Sequence, residues 1–291
     1  MNKSLVATVV AACFAAGCGT PSTQVIPPPP EQQIRDNTLS ATPSSYGQVV
    51  LSDGAVAYWS LHSDATDLGP NHLNGTAGSA IVFTGSGAVS VSGNANSYIK
   101  VANSAILKPT DVVSIEAWIV PNASAKADVQ TASAGNDSSC SPYELGFNPS
   151  SAILQFTLVD SSCHFLTGPS VSVGTSYYLV GTYDGAMMRF YVNGAQVSSA
   201  ARTGSISSYD TTSPFEIANA YGDNTTNSFA GVIHDVAVYH KVLTAAQIAN
   251  HYAVGSGATP TPSPSPTPTA TPTASPTPTP TPKPTPTPTP K

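Results

Sequence analysis

The chain has 291 residues, and Asp, Glu, Lys and Arg make up only 9% of them, far below the roughly 25% of ordinary soluble domains. Its formal net charge is −6 with 10 Lys and Arg residues, so there is no basic stripe for nucleic acid and no such partner is expected. The charge neither favours nor excludes neutral sugars as ligands.

The amino terminus has the features of an export signal. Lys3 precedes an apolar run over residues 5–16, which is too short to span a bilayer. The run ends in Ala-Ala-Gly-Cys, which resembles a bacterial lipoprotein cleavage box and implies that Cys18 becomes the lipidated first residue. Two or more acyl chains would anchor the protein to a membrane. The alternative is an ordinary secretory signal that leaves Cys18 as a spare thiol.

Residue 19 gives a hint about location. Gly19 is not the Asp that resembles an inner-membrane retention signal, so we expect an exported protein at the outer membrane or the cell surface.

Composition divides the chain into four parts. Residues 1–17 are the predicted signal peptide, residues 18–47 a flexible proline-containing tether, residues 48–256 one folded domain, and residues 257–291 a Pro/Thr-rich tail. Proline alternating with Thr or Ser cannot form a core or a backbone ladder, so we expect a disordered, semi-extended tail. A solvated spacer is one interpretation, and an arm that contacts cell-wall polymer or carries O-linked sugar is the other.

The domain is rich in short apolar runs separated by clusters of Gly, Asn, Asp, Pro or Ser. We predict strands at residues 56–61, 81–83, 88–91, 98–101, 112–120, 129–133, 143–147, 153–159, 165–167, 177–183, 188–192, 195–199, 215–218 and 232–239. Many short strands without alternating helices predict an antiparallel β-sandwich.

The clearest strands lie between residues 176 and 197. Apolar runs flank Asp184-Gly185, and a second turn follows at Asn193-Gly194; such pairs tolerate positive φ and close tight hairpins. A three-stranded meander is therefore predicted. Its middle strand alternates between two faces with the period of 2 expected beside a core, one face carrying Met188, Phe190 and Val192 and the other Met187, Arg189 and Tyr191.

One helix is predicted near the end of the domain, from residue 245 to about residue 252. Thr244 and Gln247 form a capping box at its start, and Ile248 and Tyr252 provide an apolar edge for packing on the sheet. Gly255 is expected to end the helix.

Several strings, taken in order, resemble the laminin-G-like, concanavalin A-like jelly-roll domains. They are AYWSL, DLGPNHLNGTA, VSIEAWIVP, TYDG and FAGVIHDVAVYHKVLTAAQIANHY. The resemblance implies an all-β, antiparallel jelly-roll β-sandwich with one short C-terminal helix. Relatives of this fold bind carbohydrate or protein, and some hydrolyse glycans.

Two cysteines fall within the folded region. Cys140 and Cys163 flank two predicted strands joined at Asn148-Pro149-Ser150, and antiparallel pairing would bring them together at the open end of the hairpin. We predict a disulfide that stabilises the domain by about 3 kcal/mol. A redox or metal role is the weaker interpretation, since no CxxC spacing occurs.

Motifs for catalysis are missing from the sequence. There is no G-x-S-x-G elbow, H-E-x-x-H helix, phosphate loop or glucanase E-x-D-x-x-E pattern. Glu116, Glu144 and Glu216 each lack a second acid two or four positions away on the same strand, which a retaining glycosidase would need. We therefore predict that the protein is not an enzyme, although acids from distant segments can still meet. Glu116 is interpreted as a structural acid beside Trp118.

Calcium is the candidate cofactor, as a structural ion. The loop at residues 62–75 is rich in oxygen ligands, with Asp67 foremost. In similar domains a partner acid comes from the closing strand, where this chain has Asp235. His234, however, occupies the position of the family's first acid, and we expect it on the face shared with Val236. Imidazole is a poor calcium ligand, so the alternative is a buried, hydrogen-bonded histidine without an ion.

The other histidines show no zinc-site spacing; they are His62, His72, His164, His240 and His251.

Sugar binding is predicted on two loops that combine aromatic rings with amide and carboxylate groups. The candidate ligand-binding residues are Asn136, Asp137, Tyr143, Asn219, Tyr221, Asp223 and Asn224. Ordinary turn chemistry explains the same composition, and Trp59 and Trp118 are expected in the core. The predicted partner is a glycan or another cell-surface polymer. An extracellular protein is the alternative, and a glycan-active hydrolase ranks third.

Overall fold

The computed structural model describes residues 44–90, 94–122, 130–134, 140–147, 153–160, 162–207, 209, 212–219 and 228–257, with only the backbone described at residues 130–134. These residues all belong to the second of two compact units of the chain, Ala41–Lys291. The predicted signal peptide, most of the tether and most of the tail lie outside the described residues.

Most of the regular secondary structure in the described part of the chain is strand. Their bounds are β1 Ala57–Trp59, β2 Gly75–Ala77, β3 Val82–Phe83, β4 Ala88–Ser90, β5 Ile99–Val101, β6 Val113–Pro121, β7 Gln130–Ala134, β8 Tyr143–Phe147, β9 Ile153–Val159, β10 Cys163–Ser170, β11 Tyr177–Tyr183, β12 Met187–Val192, β13 Ala195–Ala201, β14 Phe215–Ile217 and β15 Gly231–Tyr239. Every predicted strand is present. Only β2 was not predicted, because its Gly-Thr-Ala sequence has no apolar alternation.

Two helices and one short turn of 3-10 helix complete the fold: α1 Ser45–Ser52, α2 Ala245–Gly255 and the turn Ala105–Leu107. None of the described helices is long and apolar enough to cross a membrane.

The strands form two antiparallel sheets. In one, the order is β13-β12-β11-β6-β15-β4-β3, with β1 paired to the second half of β15; in the other, it is β10-β9-β8-β7-β14-β5-β2. We call them the eight-stranded and the seven-stranded sheet. The predicted antiparallel jelly-roll sandwich is confirmed.

The main core lies between the two sheets, where apolar side chains of alternate residues meet. Trp59 stacks on Phe215 with ring centroids 5.4 Å apart, as expected for a core tryptophan. Close approach at one point needs glycine: a Cβ on Gly181 would lie 2.2 Å from the ring of Phe156.

The predicted meander is confirmed as β11, β12 and β13. Met188, Phe190 and Val192 face the core between the sheets, while Tyr191 lies on the opposite face. The turn after β12 has φ of 51° at Asn193 and 80° at Gly194, which are left-handed conformations that Asn and Gly tolerate best.

The predicted start of the domain was wrong. We expected the tether to continue to residue 47, but α1 begins at Ser45, and the Ser44 side chain caps it by accepting from the Gly47 N–H. Gly47 and the β-branched Val49 and Val50 are poor helix formers. The helix exists because Tyr46 and Val50 are buried against the eight-stranded sheet, so tertiary packing outweighs local propensity.

Helix α2 has the capping box that the sequence predicts, with the Thr244 side chain accepting from the Gln247 N–H. Within this helix, Ile248 is fully buried and packs with residues of the eight-stranded sheet. The helix runs on to Gly255, whose missing side chain is required because a Cβ there would lie 2.4 Å from Trp118.

The predicted disulfide is confirmed. Cys140 and Cys163 are bonded, with Cα atoms 6.1 Å apart and a sequence separation of 23. The bond ties the segment before β8 to the first residue of β10, at one side of the seven-stranded sheet.

Candidate functional site

The outer face of the eight-stranded sheet is covered by α1 and α2, and Glu116 lies beneath them. Its side chain is fully buried. The hydroxyls of Tyr46 and Tyr239 donate to Oε1 at 3.2 and 2.9 Å. Tyr178 donates to Oε2, which also lies 2.9 Å from His251 Nδ1. Four groups therefore surround this carboxylate, as expected of a structural acid rather than one that meets a substrate.

His251 links this cluster to α1. Its Nε2 lies 2.9 Å from Asp53 Oδ2, so each ring nitrogen faces a carboxylate. Burial lowers the pKa of His251, but the hydrogen bonds and charges of Glu116 and Asp53 outweigh burial and raise the pKa above its usual value. When the ring is protonated, both nitrogens can donate to a carboxylate, and this ties α2 to the sheet and to α1. The role was not predicted from the sequence, because the three residues are far apart in the chain.

The outer face of the seven-stranded sheet is different in character. Strand pairing aligns one residue from each strand in a row that crosses the whole sheet, and we call it the polar row. Its members are Phe165, Thr157, Glu144, Ser133, Glu216, Lys100 and Thr76. Ser133 is assigned to the row by backbone register alone. Flanking residues on the strands whose side chains are described face the core, so the row faces away from it.

The polar row combines charge with aromatic surface. Lys100 Nζ lies 3.9 Å from Glu216 Oε1 and 4.4 Å from the centre of the Tyr98 ring. At the other end, Phe165 is 52% exposed. Between these ends, Glu144 and Glu216 are buried at 6% and 2% exposure.

The polar row corrects one expectation from the sequence. Glu144 and Glu216 were expected to stand alone, because neither has an acid nearby on its own strand. Ser133 of β7 pairs with both of them, so the two acids lie on one face with a single strand between. At about 4.8 Å per strand spacing, their backbones are about 10 Å apart.

Two predicted sugar ligands are in the interior. Tyr143 is fully buried, and its hydroxyl donates to the Leu107 carbonyl at 2.9 Å, so its ring offers no face to a sugar. This prediction was wrong because Tyr143 is the first residue of β8 and points into the core. Asn219 is also fully buried. The other five lie outside the described residues: Asn136, Asp137, Tyr221, Asp223 and Asn224.

The two predicted sugar-binding loops do not leave the sheet at the same place. Strand β7 ends at Ala134, which pairs with the first residue of β14, Phe215; β14 ends at Ile217, which pairs with Ala132. The two loops therefore start at opposite ends of this strand pair.

The carboxylate of Asp67, the predicted calcium ligand, is surrounded by backbone N–H groups rather than by other metal ligands. Its Oδ1 accepts from the N–H groups of Tyr58 and Gly69 at 2.8 and 2.7 Å, and its Oδ2 accepts from Leu73 N–H at 2.6 Å. The carboxylate is 1% exposed and organises its own loop. Asp235, its predicted partner, lies instead with two histidines. These residues do not fit a calcium site, because imidazoles surround the second acid.

A β-bulge explains the surroundings of Asp235. The register between β15 and β6 shifts between His234 and Ala237, and Asp235 has φ of 54°. The extra residue breaks the alternation, so His234 and Asp235 both face outward while Val236 faces the core. Our expectation that His234 shares a face with Val236 was therefore wrong.

Within the described part of the chain, one group of three or more potential metal ligands comes together: His62, His234 and Asp235. His234 Nδ1 lies 2.8 Å and His62 Nε2 lies 3.7 Å from Asp235 Oδ2. We call this the histidine cluster. Burial raises the pKa of Asp235, but hydrogen bonds from His234 and His62 outweigh burial and lower it below its usual value. The hydrogen bond to Asp235 raises the pKa of His62.

Residues 92–249 match a protein family of laminin-G type, which is described as "Concanavalin A-like lectin/glucanases superfamily". The match covers more than half of the chain, so the protein belongs to this family, as the sequence strings suggested. No curated protein matches the chain.

Solved structures share the fold at low sequence identity. The binding domain of Paraclostridial mosquitocidal protein 1 is 17% identical with a TM-score of 0.56, over 70% of this chain and 53% of that one. Domain 4 of AbnA, a GH43 extracellular arabinanase from Geobacillus stearothermophilus, in complex with arabinotriose, is 18% identical with a TM-score of 0.53, over 68% and 98%. Trypanosoma rangeli sialidase in complex with sialic acid is 11% identical with a TM-score of 0.54, over 71% and 34%.

The chain thus spans about half of the mosquitocidal binding domain and about a third of the sialidase. At these identities the likeness concerns the fold.

Proposed function

We propose that this protein is a non-catalytic, lipid-anchored surface protein whose jelly-roll domain binds a glycan or another cell-surface polymer along the polar row. The observation that carries the proposal is the composition of that row. In a chain with 9% charged residues, three charged side chains, Glu144, Glu216 and Lys100, lie in one row of a single sheet face.

The two ends of the row suit a chain of sugars. The ammonium group of Lys100, whose side chain is 28% exposed and which lies 3.9 Å from the buried Glu216, can bond to hydroxyls, while aromatic faces stack on the apolar faces of pyranose rings. Phe165 is half exposed at one end of the row, and Tyr98 lies beside Lys100 near the other end. From β10 to β5 the row crosses six strands, about 24 Å, which is long enough for several sugar units.

Membership in a lectin family and the likeness to an arabinanase domain that holds arabinotriose support a glycan ligand. The predicted lipid on Cys18 and the proline-containing tether would hold the domain outside the membrane.

Affinity electrophoresis through gels containing individual polysaccharides tests the proposal. The protein should be retarded by at least one polysaccharide, and Phe165→Ala and Tyr98→Ala should each weaken retardation several-fold, or about 1 kcal/mol per lost ring contact. Val82→Ala is the matched control, since Val82 is 58% exposed but belongs to the other sheet. Retardation that is the same for all of these variants would reject the polar row as the binding surface.

A second candidate function, glycan hydrolysis, is favoured by one observation. Glu144 and Glu216 face the same way with one strand between them. Inverting glycosidases use carboxyl groups about 6.5–9.5 Å apart, and a backbone spacing of about 10 Å permits such a separation. Release of reducing ends from a bound polysaccharide, abolished by Glu144→Gln and by Glu216→Gln, would establish this function in place of binding alone. Binding without any release would leave the non-catalytic proposal standing.

A further inference from the structure

We propose that the histidine cluster binds a divalent transition-metal ion of the zinc class through His62 Nε2, His234 Nδ1 and a carboxylate oxygen of Asp235. The potential ligand atoms all lie within 4.8 Å of one another. Zinc binds imidazole nitrogen and carboxylate oxygen at about 2.0–2.2 Å in tetrahedral geometry, which separates ligand atoms by about 3.4 Å. The observed separations of 2.8 and 3.7 Å from Asp235 Oδ2 need only small side-chain movements to reach this value.

The backbone presents these side chains through unusual conformations. Asp235 has φ of 54°, and Leu61, which precedes His62, has φ of 59°. Neither residue is glycine, so both left-handed conformations carry a cost of about 1–3 kcal/mol that the surrounding structure must support. The two segments are joined where the Asp235 N–H donates to the Ser60 carbonyl at 3.1 Å. Strain in both ligand-bearing segments, at their point of contact, suggests a function for the arrangement.

Neighbouring side chains hold two of the ligands in place. The Tyr58 hydroxyl donates to Asp235 Oδ1, which leaves Oδ2 directed at the histidines. Trp118 stacks on the His234 ring with centroids 5.8 Å apart and an interplanar angle of 12°. Outer partners of this kind orient ligands in metal sites. The arrangement is therefore a supported set of ligands rather than a chance meeting of surface groups.

The ligand types select the ion. Two imidazoles and one carboxylate suit zinc, and also copper or nickel, whereas calcium and magnesium prefer oxygen ligands. Side-chain exposures of 36% for His62 and 21% for His234 give an ion access from solvent. Three protein ligands leave a fourth position open to water or to another donor.

Equilibrium dialysis of the full chain against Zn²⁺ near neutral pH tests the site, with Co²⁺ absorption reporting the coordination geometry. The wild-type protein should bind Zn²⁺, and its thermal midpoint should rise when Zn²⁺ is added. His62→Gln and His234→Gln should each lower the affinity at least about tenfold. His72→Asn is the matched control, because His72 is exposed and Asn tolerates its φ of 52°.

Several results would overturn the inference. They are no Zn²⁺ binding by the wild-type protein, unchanged affinity in the double variant His62→Gln/His234→Gln, or an equal loss in His72→Asn. A variant that binds less Zn²⁺ only because it is unfolded is recognised by its circular dichroism without metal. In that case the other single variant, His62→Gln or His234→Gln, is tested if it is folded. Added Zn²⁺ should raise the thermal midpoint of the wild type and leave that of the folded variant unchanged. Sugar binding is a separate property, since the polar row and the histidine cluster belong to different sheets.

Discussion

The outer faces of the two sheets handle buried carboxylates in opposite ways. On the eight-stranded sheet, Glu116 is surrounded by three tyrosine hydroxyls and His251, and two helices cover it. On the seven-stranded sheet, Glu144 and Glu216 share a row with Lys100 and are flanked by an exposed phenylalanine. An acid enclosed by hydroxyls beneath two helices serves stability, whereas the polar row also carries the exposed side chain of Phe165 and the partly exposed side chain of Lys100, which suit a ligand.

Replacing Glu116 should give the largest effect and is the most direct test of this comparison. Glu116→Gln should lower the free energy of unfolding by about 3–5 kcal/mol, because it removes one of the two carboxylates that face the buried His251 ring and replaces the acceptor of three tyrosine hydroxyls. Urea unfolding followed by circular dichroism measures the change. Glu144→Gln is the matched control and should cost clearly less; equal losses in the two variants would erase the distinction between the faces.

Removing the disulfide tests what supports the seven-stranded sheet. Replacing both Cys140 and Cys163 by Ala should destabilise the domain by about 3 kcal/mol, since the unfolded chain regains the freedom of a loop of 23 residues. The urea midpoint gives the change, and wild-type protein in reductant is the control. We expect polysaccharide retardation to persist wherever the variant remains folded. A variant as stable as the wild type would contradict the prediction.

The raised pKa of His251, on the face covered by the helices, predicts that the stability of the fold depends on pH. Its pKa is raised in the folded state above the ordinary value of about 6.5. Its stabilising contribution is therefore complete below about pH 6.5 and is lost as the pH rises through the folded pKa. The stability difference between wild type and His251→Gln should be greatest near pH 6 and shrink toward alkaline pH. A difference that grows with pH would show that the ring is neutral in the fold.

Phe165 should show the smallest effect on stability and the clearest effect on binding. Because its ring is 52% exposed, Phe165→Ala should change the free energy of unfolding by only about 0.5 kcal/mol while weakening polysaccharide retardation several-fold. Thermal melting and affinity electrophoresis on the same preparations separate the two quantities. A large loss of stability would assign Phe165 to the scaffold and remove it from the proposed binding surface.

Local features of the sequence predicted much of the fold. Period-2 alternation located the meander, left-handed turn residues located its hairpins, and the Thr244 capping box located α2. The Cys140–Cys163 disulfide was also predictable, because the two cysteines flank neighbouring strands. In each case the determining residues are close in the chain, so the pattern carries the information.

Functional groups were harder to predict. The structural role of Glu116 was predicted from the sequence, but that of His251 was not, and Tyr143 was counted as a sugar ligand although it begins a predicted strand and is buried. The signal that was available for Glu144 and Glu216 was their outward position on two predicted strands, whose order in the sheet the sequence does not give.

What the sequence by itself determined is which side chains share a face and where the chain turns, because alternation and turn chemistry act over a few residues. Only the tertiary structure decided which strands are neighbours, and hence that Glu144 and Glu216 lie in one row and that His62 lies beside His234. It also decided that Asp235 forms a bulge and that α1 is a helix. Strand order, register and burial depend on contacts between distant segments, and no local pattern records them.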